Sequence, residues 1–352
     1  MQSDYLVIGL MSGTSLDGLD IAACKFNFNQ GVWSFELVAS ETISYSEELI
    51  KRLRNANDST GFELSLLDVD LGRMHGEWVA SFIERYGLKP DLIASHGHTI
   101  FHRPELGLTL QIGSAAHITA QTGIRTISNF RTIDVALGGQ GAPLVPIGDK
   151  LLFSQYDACL NLGGIANISF EESGKRIAFD IVPCNMVFNE IARLEGLPFD
   201  EDGKIARRGR RIQDLYERWN SLDFYSKEPP KSLGREYFEE HYIKEIGKGL
   251  FLTDIMTTAV EHAVHQIAKI IQEHSLKNVL VTGGGAHHNF LVEKLREETT
   301  AEIVIPDSRI INFKEAIVFA FLGTLRIRGE INALSSVTGA RVDSVGGFIS
   351  QI

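Results

Sequence analysis

Residues 8–22 read IGLMSGTSLDGLDIA. An apolar run halts at a short loop of glycines, hydroxyls and carboxylates, and a second apolar run follows. A β-hairpin needs only about two turn residues, commonly Asn-Gly or Asp-Gly. Ser12, Gly13, Thr14, Ser15, Asp17, Gly18 and Asp20 offer more hydrogen-bonding groups than that. Backbone amides and hydroxyls at Gly13, Thr14 and Ser15 suit a phosphate, and Asp17 or Asp20 suits a hydrated Mg²⁺. The competing reading is a long hairpin whose side chains satisfy only its own backbone. No GxxxxGK[ST] occurs, so this is not a Walker A loop.

The pattern returns once. DACLNLGGIANISFEESGKRIAFDIVP (157–183) again sets an apolar strand, a glycine turn with small polar residues, and another strand. Two such units opening two halves of one chain predict a duplicated α/β domain with a cleft between the halves. In the first half YLVIGLM, LDIAACKFNF and VWSFELVASETISY read as three strands. LDVDLGRMHGEWVASFIERYG follows as a helix with Leu71, His75, Val79, Phe82 and Ile83 on one side. In the second half DIMTTAVEHAVHQIAKIIQEHS carries a helical stripe of Ile255, Ala259, Ala263, Ile267, Ile270 and Ile271. KNVLVTGGGAHHNFLVEKLREE then reads strand, glycine turn, helix, and FKEAIVFAFLGTLRIRG as a further helix. The boundaries expected from these patterns are 1–128 for the first lobe, joined by about 338–352 packing back on it, and 129–337 for the second.

Composition narrows the function. Of 352 residues, 45 are acidic and 34 basic, a formal charge of −11. That argues against a nucleic-acid partner, and the one basic run, KIARRGRR (204–211), reads as a solvated face. A phosphate-bearing ligand would be held by backbone amides, helix ends or a metal rather than by bulk charge. Cys24, Cys159 and Cys184 are too scattered for a disulfide framework or a zinc site, which fits a reducing cytoplasm. The apolar N-terminal run is too short for a signal or a membrane span.

Other stretches carry candidate chemistry. Gly283, Gly284 and Gly285 follow a strand and precede a helix, as a nucleotide-binding turn would; His288 at the third-glycine position weakens a dinucleotide fingerprint. In HGHTIFH, His96 and His98 have period-two spacing on one strand face, with His102 as a possible third metal ligand; bonding to substrate hydroxyls is the competing role. Asp180 ends an apolar strand in AFDIVPCN, placed for a general base or for capping the next helix. Arg131 could hold a carboxylate of the substrate or pair with Asp134.

Ten motifs then stand in one order: MSGTSLDGLD, SHGHT, FR with Asp134 three residues on, GGQGAPLVP, LNLGGIAN, FDIVPCN, KSLGREYF, VTGGGAHHN, EA..FA and VTGA. Together they resemble the anhydro-N-acetylmuramic acid kinases, from Val7 to about Arg341. That family belongs to the sugar kinase, Hsp70 and actin superfamily. The resemblance implies two duplicated ribonuclease-H-like lobes, each a mixed sheet flanked by helices, with a nucleotide cleft between them. It implies a cytoplasmic, ATP-dependent enzyme of peptidoglycan recycling that acts on a small-molecule anhydrosugar, with no membrane or nucleic-acid partner, and it is compatible with a homodimer. ATP and water would open 1,6-anhydro-N-acetylmuramic acid to N-acetylmuramic acid 6-phosphate, with Mg²⁺ held mainly through ATP and water.

By motif, Gly13, Thr14, Ser15, Leu16, Asp17, Gly18, Leu19 and Asp20 would bind ATP phosphates, as would Gly163 and Gly164. Gly283, Gly284 and Gly285 would lie by the adenosine. Asp180 would be the base, and His96, Arg131 and Glu315 would contact the sugar. The chain departs from the family's usual FDTGPGN or FDTGPAN at FDIVPCN, from HGQT at HGHT, and from Asp at Asn129. The first departure motivates a second expectation, a non-catalytic or altered-specificity sugar- or nucleotide-binding regulator on the same scaffold. A third, an NAD-dependent oxidoreductase, rests on GGGA alone.

Overall fold

A computed structural model describes residues 3–13, 16–246 and 249–352. Thr14 and Ser15 of the opening loop therefore lie outside the described residues. The strands run β1 Asp4–Ser12, β2 Gly18–Asn29, β3 Val32–Ser44, β4 Leu92–Arg103, β5 Leu108–Ile112, β6 Thr126–Ser128, β7 Ala158–Leu162, β8 Ile165–Glu172, β9 Lys175–Pro183, β10 Asn278–Thr282, β11 Glu302–Val304 and β12 Phe348–Ser350.

They form two mixed sheets, ordered β12-β6-β4-β1-β2-β3, with β5 on β4, and β11-β10-β7-β8-β9. In the first, β1, β2 and β3 are antiparallel neighbours, β4 runs parallel to β1, and β6 parallel to β4. In the second, β7, β8 and β9 repeat the antiparallel ribbon, β10 runs parallel to β7, and β11 parallel to β10. The same five-strand topology occurs twice, so the fold is a duplicated α/β fold with mixed, helix-flanked sheets.

Parallel neighbours cannot be joined by a tight turn and need a crossover, usually helical. The Gly61–Tyr86 helix lies between β3 and β4 in the chain, and the Leu252–Glu273 helix between β9 and β10. The first buries Leu67, Leu71, His75, Val79 and Phe82 at three- and four-residue intervals. It begins six residues before Leu67 because Thr60 and Glu63 close a reciprocal capping box, and it stops where Gly87 turns left-handed at φ 62°. No helix among the described residues is long and apolar enough to cross a membrane.

The chain divides into two compact units, residues 1–152 with 313–352, and residues 153–312. The boundaries therefore lie away from the expected 128/129 and 337/338. The cause is packing that the sequence pattern does not display. Asp134 is buried, accepting from the Gly141 N–H at 2.8 Å and from the Thr338 hydroxyl at 2.7 Å. Gly148 lies against Val318. The Ser308–Arg328 helix crosses β1 so closely at Gly9 that a methyl there would overlap the Ala316 carbonyl. Residues 129–152 and 313–337 thus belong to the first unit, and β12 completes its sheet by pairing with β6. That unit has a core containing Ile8, Leu10, Ile21, Leu71 and Val79. The second has its own, containing Leu160, Ile168, Val187, Val260 and Val281.

Candidate functional site

In the second unit the neighbouring parallel strands β7 and β10 end together, with Asn161 opposite Thr282. The turns that follow them therefore emerge side by side. Gly283 has φ 81°, and a side chain there would sit 2.5 Å from Asn161 Oδ1 and 2.9 Å from the Leu162 carbonyl. At Gly285 an added methyl would stand 2.7 Å from Leu162 Cβ. Only glycine permits two backbones so close. Asn185 joins them: its side-chain N–H donates to the Leu162 carbonyl at 2.9 Å, and its backbone N–H to the Gly163 carbonyl at 3.1 Å. The Cys184 N–H donates to the Gly164 carbonyl at 2.8 Å. LNLGGIAN, FDIVPCN and VTGGGAHHN are thus one constellation. His288 caps the Asn289–Glu298 helix, its Nδ1 accepting from the Leu291 N–H at 3.1 Å, which accounts for a residue other than glycine there.

Asp180 stands on β9 beside a bulge. Asn167 pairs with Asp180 and Ala166 with Val182, leaving Ile181 unpaired. Ile181 and Val182 are buried in the core on extended backbone, so the apolar departure from the family pattern is absorbed by packing. Asp180 Oδ2 accepts from the Leu233 N–H at 2.8 Å, and the Asp180 N–H donates to the Lys231 carbonyl at 3.1 Å. The KSLGREYF segment therefore positions the proposed base. Asp180 does not cap the following helix, whose N-cap residue is Cys184. Burial raises its carboxyl above the usual carboxylate range, and the Leu233 N–H acts in the opposite direction.

In the first unit the C-terminal ends of β1, β4 and β6 carry the corresponding groups. The opening loop leaves β1 after Ser12; the Gly13 carbonyl accepts from the Leu16 N–H at 3.3 Å, and Leu16 takes φ 63°. Gly18 and Leu19 begin β2, while Asp17 lies exposed before it. Asp20 Oδ1 accepts from the Thr42 hydroxyl at 2.6 Å, and burial, with the nearby Asp17, raises its carboxyl.

On β4, Ser95 pairs level with Leu10 but His98 pairs with Ser12, so His96 and Gly97 oppose Met11 alone. Gly97 takes φ 75° in this bulge. The bulge interrupts the regular alternation, and His96 and His98 take different side-chain partners, Arg131 and Ser12. His98 Nδ1 is 2.9 Å from the Ser12 hydroxyl, which accepts from the Tyr45 hydroxyl at 2.6 Å. His102 Nδ1 is 3.1 Å from the Thr109 hydroxyl. Among the described residues no group of three or more His, Cys, Asp or Glu could hold a metal ion.

His96 faces Arg131, whose Nε and Nη2 donate to His96 Nε2 at 3.0 and 2.8 Å. Arg131 Nη1 donates to the Gly141 carbonyl at 2.7 Å, while Asp134 is engaged elsewhere, so the alternative Arg131–Asp134 pair does not form. Burial lowers the Arg131 pKa to about 10, against the pull of Glu315. Glu315 reaches solvent, yet the protein crowded around it raises its carboxyl; Arg131 lowers it and Asp20 raises it further. Arg131, His96, Glu315 and Asp20 form one electrostatically linked group. Asn129 holds φ 59°, a conformation Asn tolerates, and accepts from the Thr132 hydroxyl. Arg207 and Arg211 of the basic run pair with Glu293 and Glu261. Tyr45 and the Leu233 amide are participants that sequence reasoning missed; each acts through a contact more than 30 residues away, which no local pattern reveals.

Comparison with known proteins identifies the chain's relatives. The model of the anhydro-N-acetylmuramic acid kinase family matches residues 5–351. An anhydro-N-acetylmuramic acid kinase from Sulfurimonas denitrificans is 36% identical, covering 98% of this chain and 99% of its own. One from Caldanaerobacter subterraneus subsp. tengcongensis is 34% identical over 99% of this chain and 98% of its own. Among solved structures, component A of the Acidaminococcus fermentans (R)-2-hydroxyglutaryl-CoA dehydratase gives a TM-score of 0.46 at 12% identity, over 90% of this chain and 96% of that one. A likeness that remote says nothing about chemistry. The whole-length match to the family does, and with its motifs gathered at the strand ends of both units the chain belongs to the anhydro-N-acetylmuramic acid kinase family.

Proposed function

We propose that this chain is the ATP-dependent kinase that converts 1,6-anhydro-N-acetylmuramic acid to N-acetylmuramic acid 6-phosphate in peptidoglycan recycling, acting in the cytoplasm, where ATP is available. The observation that carries the reading is Asp180. It is a carboxylate steadied by one backbone N–H and made more basic by burial, in a chain matched to the kinase family from end to end. Asp180 takes a proton from water as the water oxygen bonds to C1 of the sugar. The C1–O6 bond breaks, O6 takes the γ-phosphoryl group of ATP, and ADP leaves. The chemistry then rests on in-line positioning and charge stabilisation.

Gly13 to Asp20, with Gly163 and Gly164, are assigned to the phosphates, Gly283 to Gly285 to the adenosine, and Arg131 and Glu315 to the sugar. Asp17 and Asp20, hard oxygen donors beside the opening loop, fit a Mg²⁺ held mainly through the nucleotide and its water. When bound, the ion neutralises charge on the transferring phosphoryl group.

Turnover with ATP, Mg²⁺ and the anhydrosugar in ¹⁸O-water tests the reading. The expected product carries phosphate on O6 and label at C1. Phosphate without label would make this an ordinary sugar kinase, and no phosphosugar would reject kinase activity on this substrate. Asp180→Asn should lower kcat by about 10²–10⁴-fold with nucleotide affinity retained. Normal turnover by that variant would remove Asp180 from the role of base.

A further inference from the structure

Arg131 is a partly buried cation, and every hydrogen-bond partner it has is neutral. Its Nε–H and one Nη2–H go to His96 Nε2, one Nη1–H goes to the Gly141 carbonyl, and the Phe319 ring centre lies 6.0 Å from the guanidinium carbon. No carboxylate among the described residues is ion-paired with it; Glu315 acts only through its field. A guanidinium has five N–H donors. Three are taken, which leaves one on each terminal nitrogen, the pair that a carboxylate engages as a fork.

His96 is 5% exposed, and both its nitrogens are spent within the protein. Nε2 faces two N–H groups of a side chain that stays protonated, so it must present its lone pair. The remaining proton therefore sits on Nδ1, 2.8 Å from the Gly97 carbonyl that accepts it. The Gly97 bulge supplies that carbonyl, and Phe319 packs against the imidazole with ring centres 4.6 Å apart. Burial, then the neighbouring Arg131, hold the His96 pKa well below the ordinary histidine value, in keeping with a neutral ring.

We infer that His96 is a positioning residue rather than a sugar ligand: as a neutral Nδ1–H imidazole it fixes the plane of Arg131 and aims the remaining guanidinium fork at an anionic group of the sugar. The inference rests on the proposed substrate, whose muramic acid portion bears one carboxylate.

The test compares wild type, His96→Ala and His96→Gln on the anhydrosugar and on the same anhydrosugar lacking the carboxylate. His96→Ala should raise KM for the carboxylate-bearing sugar on the order of 10- to 100-fold, leave kcat within about threefold, and scarcely change KM for the carboxylate-free sugar. His96→Gln, whose Oε1 can accept where Nε2 did, should restore most of the affinity. Equal losses on both sugars, or unchanged KM in the Ala variant, would overturn the inference.

A separate reading needs no substrate. ¹⁵N NMR of the intact protein should find His96 neutral with its proton on Nδ1, and Arg131→Met should raise its pKa. An Nε2–H tautomer or a charged ring in wild type would sink the positioning role. Failure of wild type to turn over either sugar would count against the proposed function and, with it, the sugar end of this inference; the NMR result would still decide the His96–Arg131 lock.

Discussion

Buried imidazoles, His75 and His262 among them, weaken this protein in acid. His75 Nε2 lies 3.4 Å from the Tyr45 hydroxyl. His262 Nε2 lies 3.0 Å from both the Tyr225 and Tyr242 hydroxyls, and its Nδ1 is 2.9 Å from the side-chain oxygen of Asn220. That oxygen can only accept, so His262 carries a proton on Nδ1. Burial pushes both pKa values down to about 3. The unfolded chain, titrating near the ordinary histidine value of about 6.5, binds protons that the native state refuses. Stability is therefore full above about pH 6.5 and falls as the pH drops from there toward 3. At pH 5.5 each ring should cost about 1.4 kcal/mol relative to pH 7.5. Urea unfolding at the two pH values checks this, and His75→Phe should shrink the acid loss by about that amount; an unchanged loss would mean His75 is not neutral when folded. The sequence showed His75 on the buried side of a helix, but its partner Tyr45 is 30 residues away and comes to it only through the fold.

At the scale of elements, helical periodicity and apolar runs located the strands and crossover helices, because both signals depend on residues close in the chain. Bulges escaped. The extra residues at His96–Gly97 and at Ile181 show only when a strand is laid against its partner, and each redirects side chains of the candidate site. Close crossings escaped as well. Gly9 reads as one more small residue in an apolar strand, yet it is where the Ser308–Arg328 helix touches β1. Gly9→Ala should destabilise the protein by about 1–3 kcal/mol through forced backbone displacement. A urea midpoint equal to wild type would show that the helix can shift without cost.

Over the whole molecule, the two units differ in how the chain builds them. Residues 153–312 are continuous and contain a complete five-stranded sheet with its own core. Residues 1–152 lack the buried Ala316, Phe319 and Ala320 of the returning helix and the β12 edge strand. A 153–312 fragment should therefore give a cooperative urea transition by circular dichroism, and a 1–152 fragment should not. Cooperative unfolding of 1–152 alone would show that the C-terminal segment is dispensable to that core. Gradual, non-cooperative loss of signal from 153–312 would show that its core is incomplete.

Much of the candidate site was legible in sequence because glycine turns, Asp180 and Arg131 belong to short motifs whose order is read directly along the chain. The duplication was legible for the same reason, since IGLMSGTSLDGLDIA and LNLGGIANISF share the strand–turn–strand pattern of β1–β2 and β7–β8. Tertiary structure decided the rest. It carried residues 129–152 and 313–352 into the first unit, gave His96 and His98 different side-chain partners, tied Asp180 to the Leu233 amide and spent both nitrogens of His96 inside the protein. Each depends on which strand ends adjoin and which buried polar atoms must be paired, and those relations exist only once distant segments are packed together.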